Sequence, residues 1–168
     1  SENDMIKNRF TEEKRIKYEW ILKLQSNKSL YKKHHKSESY FAVHSDFSIG
    51  ATHAVCELFS LSLTIVVDKT YIHFNYGNNH HIIEYNNETN TFSPSTNIIK
   101  HNIENLSISY LHIVDYKKML YAPSYYKIDE LKRFMNQLGM HTDSSLKKKD
   151  IYDTIKNKIK LIYLKINV

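Results

Sequence analysis

Two kinds of hydrophobic periodicity divide the chain. Residues 11–33 repeat apolar side chains at helical spacing, as in Ile16, Trp20 and Leu24. Two later segments, 61–67 and 72–76, alternate apolar with polar positions, which is typical of strands with one buried face. The pattern therefore predicts an N-terminal helix over about 11–33 and strands within about 40–116.

The strands are predicted to form a small antiparallel sheet. Residues 76–79 are typical of a turn, and residues 81–85 would return as the third strand of a meander. The alternating run 106–114 predicts a further strand. Residues 51–60 fit a short helix or a strand. We expect the N-terminal helix to pack on this sheet.

Helical spacing returns after Pro123, which cannot continue a strand ladder. Apolar positions predict one helix over about 127–138 and a second over about 146–160. Gly139 stands between them, where a left-handed helix C-cap is wanted. The chain is thus predicted to be an α+β protein, with an α+β domain over 1–122 and a two-helix module over 123–168.

Charge is unevenly distributed along the 168 residues, whose net charge is +6. Residues 1–36 carry ten basic and five acidic side chains, or +5. Residues 37–123 carry four and eight, or −4, and residues 124–168 carry ten and five, or +5. Two basic ends around an acidic middle predict that a polyanion binds at the ends.

Several function classes are disfavoured by composition. No apolar run approaches the roughly 20 residues of a membrane-spanning helix, and the first residues lack a signal peptide's apolar core. The one cysteine, Cys56, excludes an internal disulfide and is expected to be buried. Three glycines cannot build a phosphate-binding loop. We expect an intracellular protein without a membrane anchor, bound metal or cofactor.

The C-terminal module resembles the SAP motif. The resemblance covers about residues 124–160 and includes Glu-Leu-Lys at 130–132, Gly-Met at 139–140 and Lys-Lys-Asp-Ile at 148–151. Thr142 lies in the bend between the helices. His141 stands where proline is common in the motif, and the bend before Lys147 is slightly longer than usual.

This resemblance implies binding to double-stranded DNA, with RNA as the ligand of some relatives. Lysines at the start of the second helix are unfavourable for the helix dipole, whereas phosphate contact would explain their position. The nucleic-acid-binding residues implied in and around the module are Lys127, Lys132, Arg133, Gly139, Thr142, Lys147, Lys148 and Lys149. A second polyanion contact is predicted on the N-terminal helix, at Lys32 and Lys33.

Two alternatives remain open at this stage. A LEM-like module would bind a protein through Phe134 and Tyr152, with the acidic β domain as a second protein-binding surface. A metal-dependent nuclease would use a His-Asn-His set, composed of His80, His81, Asn97 and His101. A further metal-ligand set, with spacing that suits no single helix or strand face, is His44, Asp46 and His53.

Overall fold

The computed structural model describes residues 2–43, 48–95, 103–143 and 145–166. The helices of these segments are α1 (Glu2–Ser26), α2 (Lys28–Val43), α3 (Ile49–Leu58), α4 (Ile103–Ser109), α5 (Ile128–Gln137) and α6 (Lys148–Ile166). The strands are β1 (Ser62–Val67), β2 (Thr70–Phe74), β3 (His80–Asn86), β4 (Thr91–Pro94) and β5 (Leu111–His112). A 3-10 turn, Pro123–Tyr125, precedes α5. The protein is α+β, as the sequence predicts.

The sheet is mixed, so the prediction of an antiparallel meander is wrong. Its strand order is β4-β3-β1-β2-β5, in which β1 pairs antiparallel with β2 but parallel with β3. The chain therefore does not return from β2 directly alongside it but crosses to the other edge of β1. The connection from β2 to β3 includes the predicted turn at 76–79. Position 77 requires glycine because a Cβ atom there would lie 1.8 Å from the Ser60 carbonyl oxygen.

The predicted N-terminal helix is two helices separated at Asn27. Asn27 Oδ1 accepts a hydrogen bond from the Leu30 amide at 3.1 Å, and its carbonyl oxygen accepts one from the Tyr31 amide at 2.8 Å. An asparagine in this position caps a helix N-terminus. The cap starts α2 in a new direction, so that α2 packs against both α1 and α3.

Helix α4 occupies part of the run that predicts a strand over 106–114. Leu106 is fully buried and Tyr110 nearly so, whereas Ile108 between them is 74% exposed. Leu106 and Tyr110 lie one helical turn apart and pack with Val66 and Tyr71 on one sheet face. The strand prediction is therefore wrong for residues 106–109, because alternation at three positions also fits a helix whose middle apolar residue faces solvent. It is confirmed at residues 111–112, which form β5 and pair with β2.

The opposite sheet face carries the largest hydrophobic cluster. It contains Ile65 and Val67 of β1 with Ile72 and Phe74 of β2. Helix α3 adds Ile49 and Cys56 to this cluster. Of the two alternatives for residues 51–60, the helix is confirmed, since α3 covers most of that segment. Cys56 is buried as predicted, and burial raises the pKa of its thiol to about 11.

Helix α5 lies within one residue of its predicted bounds, whereas α6 starts two residues later than predicted and runs six residues further, to Ile166. Their apolar faces join the same cluster as the sheet, through Leu131, Met135, Leu138, Ile151, Ile155, Ile159 and Ile162. The boundary between 122 and 123 stays a prediction, although the cluster is continuous across it. No helix among the described segments is long and apolar enough to cross a membrane.

Candidate functional site

Helix α5 carries two of the predicted nucleic-acid-binding residues, and a third, Lys127, is its N-cap. Lys127 precedes the helix, and its amide donates a hydrogen bond to Glu130 Oε2 at 2.7 Å, so the ammonium group is left at the surface. Lys132 is half-buried, and Arg133 is exposed with its guanidinium 5.8 Å from the Phe134 ring centre. The first helix of the module therefore presents basic groups beside its buried apolar face.

The bend after α5 uses Gly139 as predicted. Gly139 has φ +70°, and its amide donates to the Asn136 carbonyl oxygen at 3.0 Å. The Met140 amide donates to the Met135 carbonyl oxygen at 2.9 Å, which completes a Schellman C-cap. Thr142 then turns its hydroxyl to Asn136 Oδ1 at 3.4 Å. These bonds set the direction in which the chain leaves α5.

The lysine run 147–149 lies at the start of α6. The Lys147 carbonyl oxygen accepts the first helical bonds, from the amides of Asp150 and Ile151. Lys147 and Lys149 are exposed and Lys148 is half-buried. Within the part of the chain that the structure describes, none of the three forms an ion pair with a carboxylate. Three positive charges thus stand at a helix end where the dipole disfavours them.

The two predicted lysines of α2 have different environments. Lys32 is exposed, and its carbonyl oxygen lies 3.3 Å from His35 Nδ1. The Lys33 ammonium instead donates to Glu57 Oε2 of α3 at 2.6 Å, and this bond raises the pKa of Lys33. Lys33, itself exposed, therefore forms an ion pair with a largely buried carboxylate of α3.

The histidine cluster, defined as His34, His53 and Glu57, lies where α2 meets α3. His53 and Glu57 are one helical turn apart on α3 and share a face. His34 comes from α2 at a break in that helix, with φ −121° and ψ 17°. One nitrogen or oxygen atom from each of the three side chains lies within 4.8 Å of the others. The packing of two helices has brought together three groups that can bind a metal ion.

Distances within the histidine cluster are short. His34 Nε2 lies 2.8 Å from Glu57 Oε2, and His53 Nε2 lies 3.9 Å from the same oxygen. The side chains of His34, His53 and Glu57 are 5%, 15% and 18% exposed. Bulk water therefore screens their mutual interactions little.

Burial and neighbouring groups shift the pKa values of both His53 and Glu57 downward. Burial, helped by the neighbouring His34 and Lys33, lowers the pKa of His53 to about 4, so its imidazole is neutral at neutral pH. Burial works to raise the pKa of Glu57, but hydrogen bonds from His34 and Lys33 outweigh it and the pKa is lowered. The cluster at neutral pH contains an anionic carboxylate next to a neutral imidazole.

Two tyrosines and a phenylalanine fix the ring of His53. The Tyr76 hydroxyl lies 2.6 Å from Nε2, and the Tyr116 hydroxyl lies 3.0 Å from Nδ1. Phe74 stacks on the imidazole with ring centres 4.6 Å apart and planes 4° from parallel. Burial raises the pKa of both tyrosines, which keeps their hydroxyls protonated. A surface cleft of about 490 Å³ is lined by His53, Tyr76 and Tyr116 and opens to solvent.

The sequence held one signal for this cluster, the four-residue spacing of His53 and Glu57. That spacing brings two ligands to one face once residues 51–60 are known to be helical. His34 has no such local signal, because it reaches the others only through packing of α2 on α3. Of the metal-ligand set predicted with His53, both His44 and Asp46 lie outside the described residues.

The predicted nuclease set is only partly described, since Asn97 and His101 lie outside the described residues. His80 and His81 are neighbours on β3, so their side chains project to opposite sheet faces. His80 Nε2 lies 2.7 Å from Thr64 Oγ1, whereas His81 lines an apolar cavity of about 360 Å³ with Trp20. The two adjacent histidines therefore do not point toward a common ion.

The residues that a LEM-like contact would use have structural roles. Tyr152 is 8% exposed, and its hydroxyl donates to the Tyr121 carbonyl oxygen at 3.0 Å. Phe134 packs edge-on against Tyr126, with ring centres 5.5 Å apart. Tyr152 is therefore buried, whereas Phe134 is only partly buried, and the LEM-like alternative stays a prediction.

Comparison with known proteins adds no relative. No protein-family model matches the chain, and neither a curated protein nor a solved structure matches it significantly. The features of this chain that bear on its function are therefore the basic residues of the C-terminal helices and the histidine cluster.

Proposed function

We propose that this protein binds duplex DNA through the basic C-terminal helices, with the start of α6 as the main phosphate contact. The observation that carries the proposal is the run Lys147, Lys148 and Lys149 at a helix N-terminus. These lysines oppose the helix dipole and have no carboxylate partner among the described residues. A phosphate would be attracted by both the lysines and the free amides of the first turn.

The geometry of the module supports this proposal. Helices α5 and α6 bury their apolar faces in the core, which directs their polar faces outward. The C-cap at Gly139 and the Thr142 bond to Asn136 set the direction in which the chain leaves α5, ahead of the lysines at the start of α6. A rigid arrangement of donors lowers the entropy lost when a ligand binds. The resemblance to the SAP motif points to the same ligand class.

The polyanion contact predicted at Lys32 and Lys33 of the N-terminal helices has less structural support than the contact at the start of α6. The Lys33 ammonium is bonded to Glu57, so binding to phosphate would break an existing ion pair. Lys32 is exposed and can add positive charge nearby. We therefore assign the DNA contact to the C-terminal helices, with Lys127, Lys132 and Arg133 as additional basic groups.

The experiment is binding of the full chain to labelled AT-rich duplex, GC-rich duplex and single-stranded RNA over a salt series. We expect tightest binding to the AT-rich duplex and a linear fall of log affinity with log salt. Changing Lys147, Lys148 and Lys149 together to Ala should reduce that slope by about 1 for each lysine that contacts a phosphate.

The matched control changes Lys69, Lys117 and Lys118 to Ala, which removes the same charge from the middle of the chain. This variant should retain the slope of the unchanged protein. Equal weakening by both triple variants would mean attraction by net charge alone and would contradict the assignment to α6. Tighter binding to RNA would replace DNA as the ligand, and no binding at low salt would refute the proposal.

A further inference from the structure

The histidine cluster has the donor set of a transition-metal site. Two imidazole nitrogens and one carboxylate oxygen, from His34, His53 and Glu57, lie within 4.8 Å of one another. Two histidines and one carboxylate are a ligand set used for Zn²⁺ and for non-haem Fe²⁺, with positions left for water or substrate. The side chains converge from two helices, and Phe74 and Tyr116 already restrict the imidazole of His53.

We propose that His34 Nε2, His53 Nε2 and a Glu57 carboxylate oxygen bind a divalent first-row transition-metal ion. Bonds of about 2.1 Å in a tetrahedral site would place these ligand atoms about 3.4 Å apart. The distances to Glu57 Oε2, 2.8 Å from His34 and 3.9 Å from His53, lie on either side of that value. Side-chain adjustments of about half an ångström would bring both distances to Glu57 to that value, and all three ligand atoms already lie within 4.8 Å of one another.

Neighbouring groups supply the outer shell that such sites require. Tyr116 lies at His53 Nδ1, the nitrogen that would not bind the ion, and can hold the ring in the required tautomer. The Tyr76 hydroxyl lies 2.6 Å from His53 Nε2. An ion bound at Nε2 would replace this hydrogen bond and leave the hydroxyl beside the ion. The cleft lined by His53, Tyr76 and Tyr116 gives the ion a path from solvent.

Lys33 competes with the ion for Glu57. Its ammonium lies 2.6 Å from Glu57 Oε2, close to where the metal charge would be. The Lys33 side chain is 48% exposed, so it can move into solvent when the ion binds. In the metal-free protein the Lys33 ammonium forms an ion pair with the Glu57 carboxylate and neutralises its charge. Replacing it should strengthen metal binding, which a purely structural ion-pair network would not require.

The test is a titration of the chelator-treated full chain with Zn²⁺, followed by Co²⁺ as a spectroscopic probe. We expect one equivalent to bind with micromolar or tighter affinity, and Co²⁺ to show the visible absorption of a low-coordinate site. His53→Gln and Glu57→Gln should each weaken Zn²⁺ binding by about tenfold or more. Lys33→Gln should strengthen it by about threefold, the size of a half-exposed charge interaction.

The matched control is His35→Gln, because His35 is exposed and its Nδ1 lies near the Lys32 carbonyl oxygen, outside the cluster. Its Zn²⁺ affinity should equal that of the unchanged protein. Circular dichroism checks that each variant is folded, and Lys33→Gln keeps the test valid if a ligand variant unfolds. No stoichiometric binding, or binding equally sensitive to His35→Gln, overturns the proposal, as does unchanged or weaker binding by Lys33→Gln.

Discussion

Gly139 shows how a single backbone position determines the way the chain passes from α5 toward α6. Its φ of +70° is in the left-handed region, where a side chain costs conformational energy even though no atom lies within 4 Å of an added Cβ. We expect Gly139→Ala to lower the free energy of unfolding by about 1 kcal/mol. Urea denaturation measures the change.

The matched control at the same scale is Gly50→Ala in α3. An added Cβ there would lie 3.8 Å from Ser48 Oγ, an ordinary contact, and the backbone is helical. Alanine should therefore be neutral or stabilise by about 0.5 kcal/mol. Equal effects of the two substitutions would mean that Gly139 does not need its left-handed conformation.

Single residues also mark the limit of prediction from sequence at this scale. Gly139 was predictable because a helix C-cap is a local requirement, and burial of Cys56 followed from its apolar neighbours. His34 was not predictable as a cluster member, because its burial depends on where α3 packs. The same holds for Lys33, which was predicted at the surface for a polyanion but donates to Glu57.

Elements with a long, regular apolar stripe were predicted most closely. Helix α5 was expected over about 127–138 and occupies 128–137, since its stripe is continuous and its C-cap is explicit. Strand pairing was not predictable, because β1 can pair with β3 in either direction without changing its own alternation. Register and order depend on contacts far apart in the chain, which local periodicity does not encode.

Helix α4 provides a direct test of element assignment. If residues 103–109 are helical, Leu106 faces the core and Ile108 faces solvent. Leu106→Ala should then lower the free energy of unfolding by about 3 kcal/mol, whereas Ile108→Ala should change it by less than about 0.5 kcal/mol. A strand with one buried face would bury both residues. Similar large losses in the two variants, measured by urea denaturation, would contradict the helix.

At the scale of the whole molecule, one apolar cluster joins the sheet to helices α3, α5 and α6. The proposed DNA contact and the proposed metal site therefore rest on the same core, although they use different side chains. Metal binding should then change the unfolding of the whole chain rather than of α2 and α3 alone. Buried titratable groups around this core likewise make global stability depend on pH.

Acid sensitivity is the global property that follows from the lowered pKa values of four histidines, of which His53 and His73 are half-buried and His80 and His112 are exposed. Burial lowers the pKa of His53 to about 4 and also lowers the pKa values of His73, His80 and His112. Between pH 6.5 and 4 the unfolded chain binds a proton at His53 that the folded chain does not, and the lowered pKa values of the other three histidines act in the same direction, so stability falls as pH falls. Because the pKa of Glu57 is also lowered in the folded protein, the free energy of unfolding decreases further as Glu57 is protonated at lower pH.

We expect His53 alone to reduce the free energy of unfolding by about 1–2 kcal/mol between pH 7 and pH 5. Urea denaturation at the two pH values, with a chelator present to remove metal ions, measures the loss. His53→Gln should lower stability at pH 7 yet show a smaller decrease toward pH 5, because glutamine takes up no proton. A free energy of unfolding that stays constant from pH 7 to pH 5 would mean that His53 is solvated. This result would contradict the burial of His53 between α2 and α3.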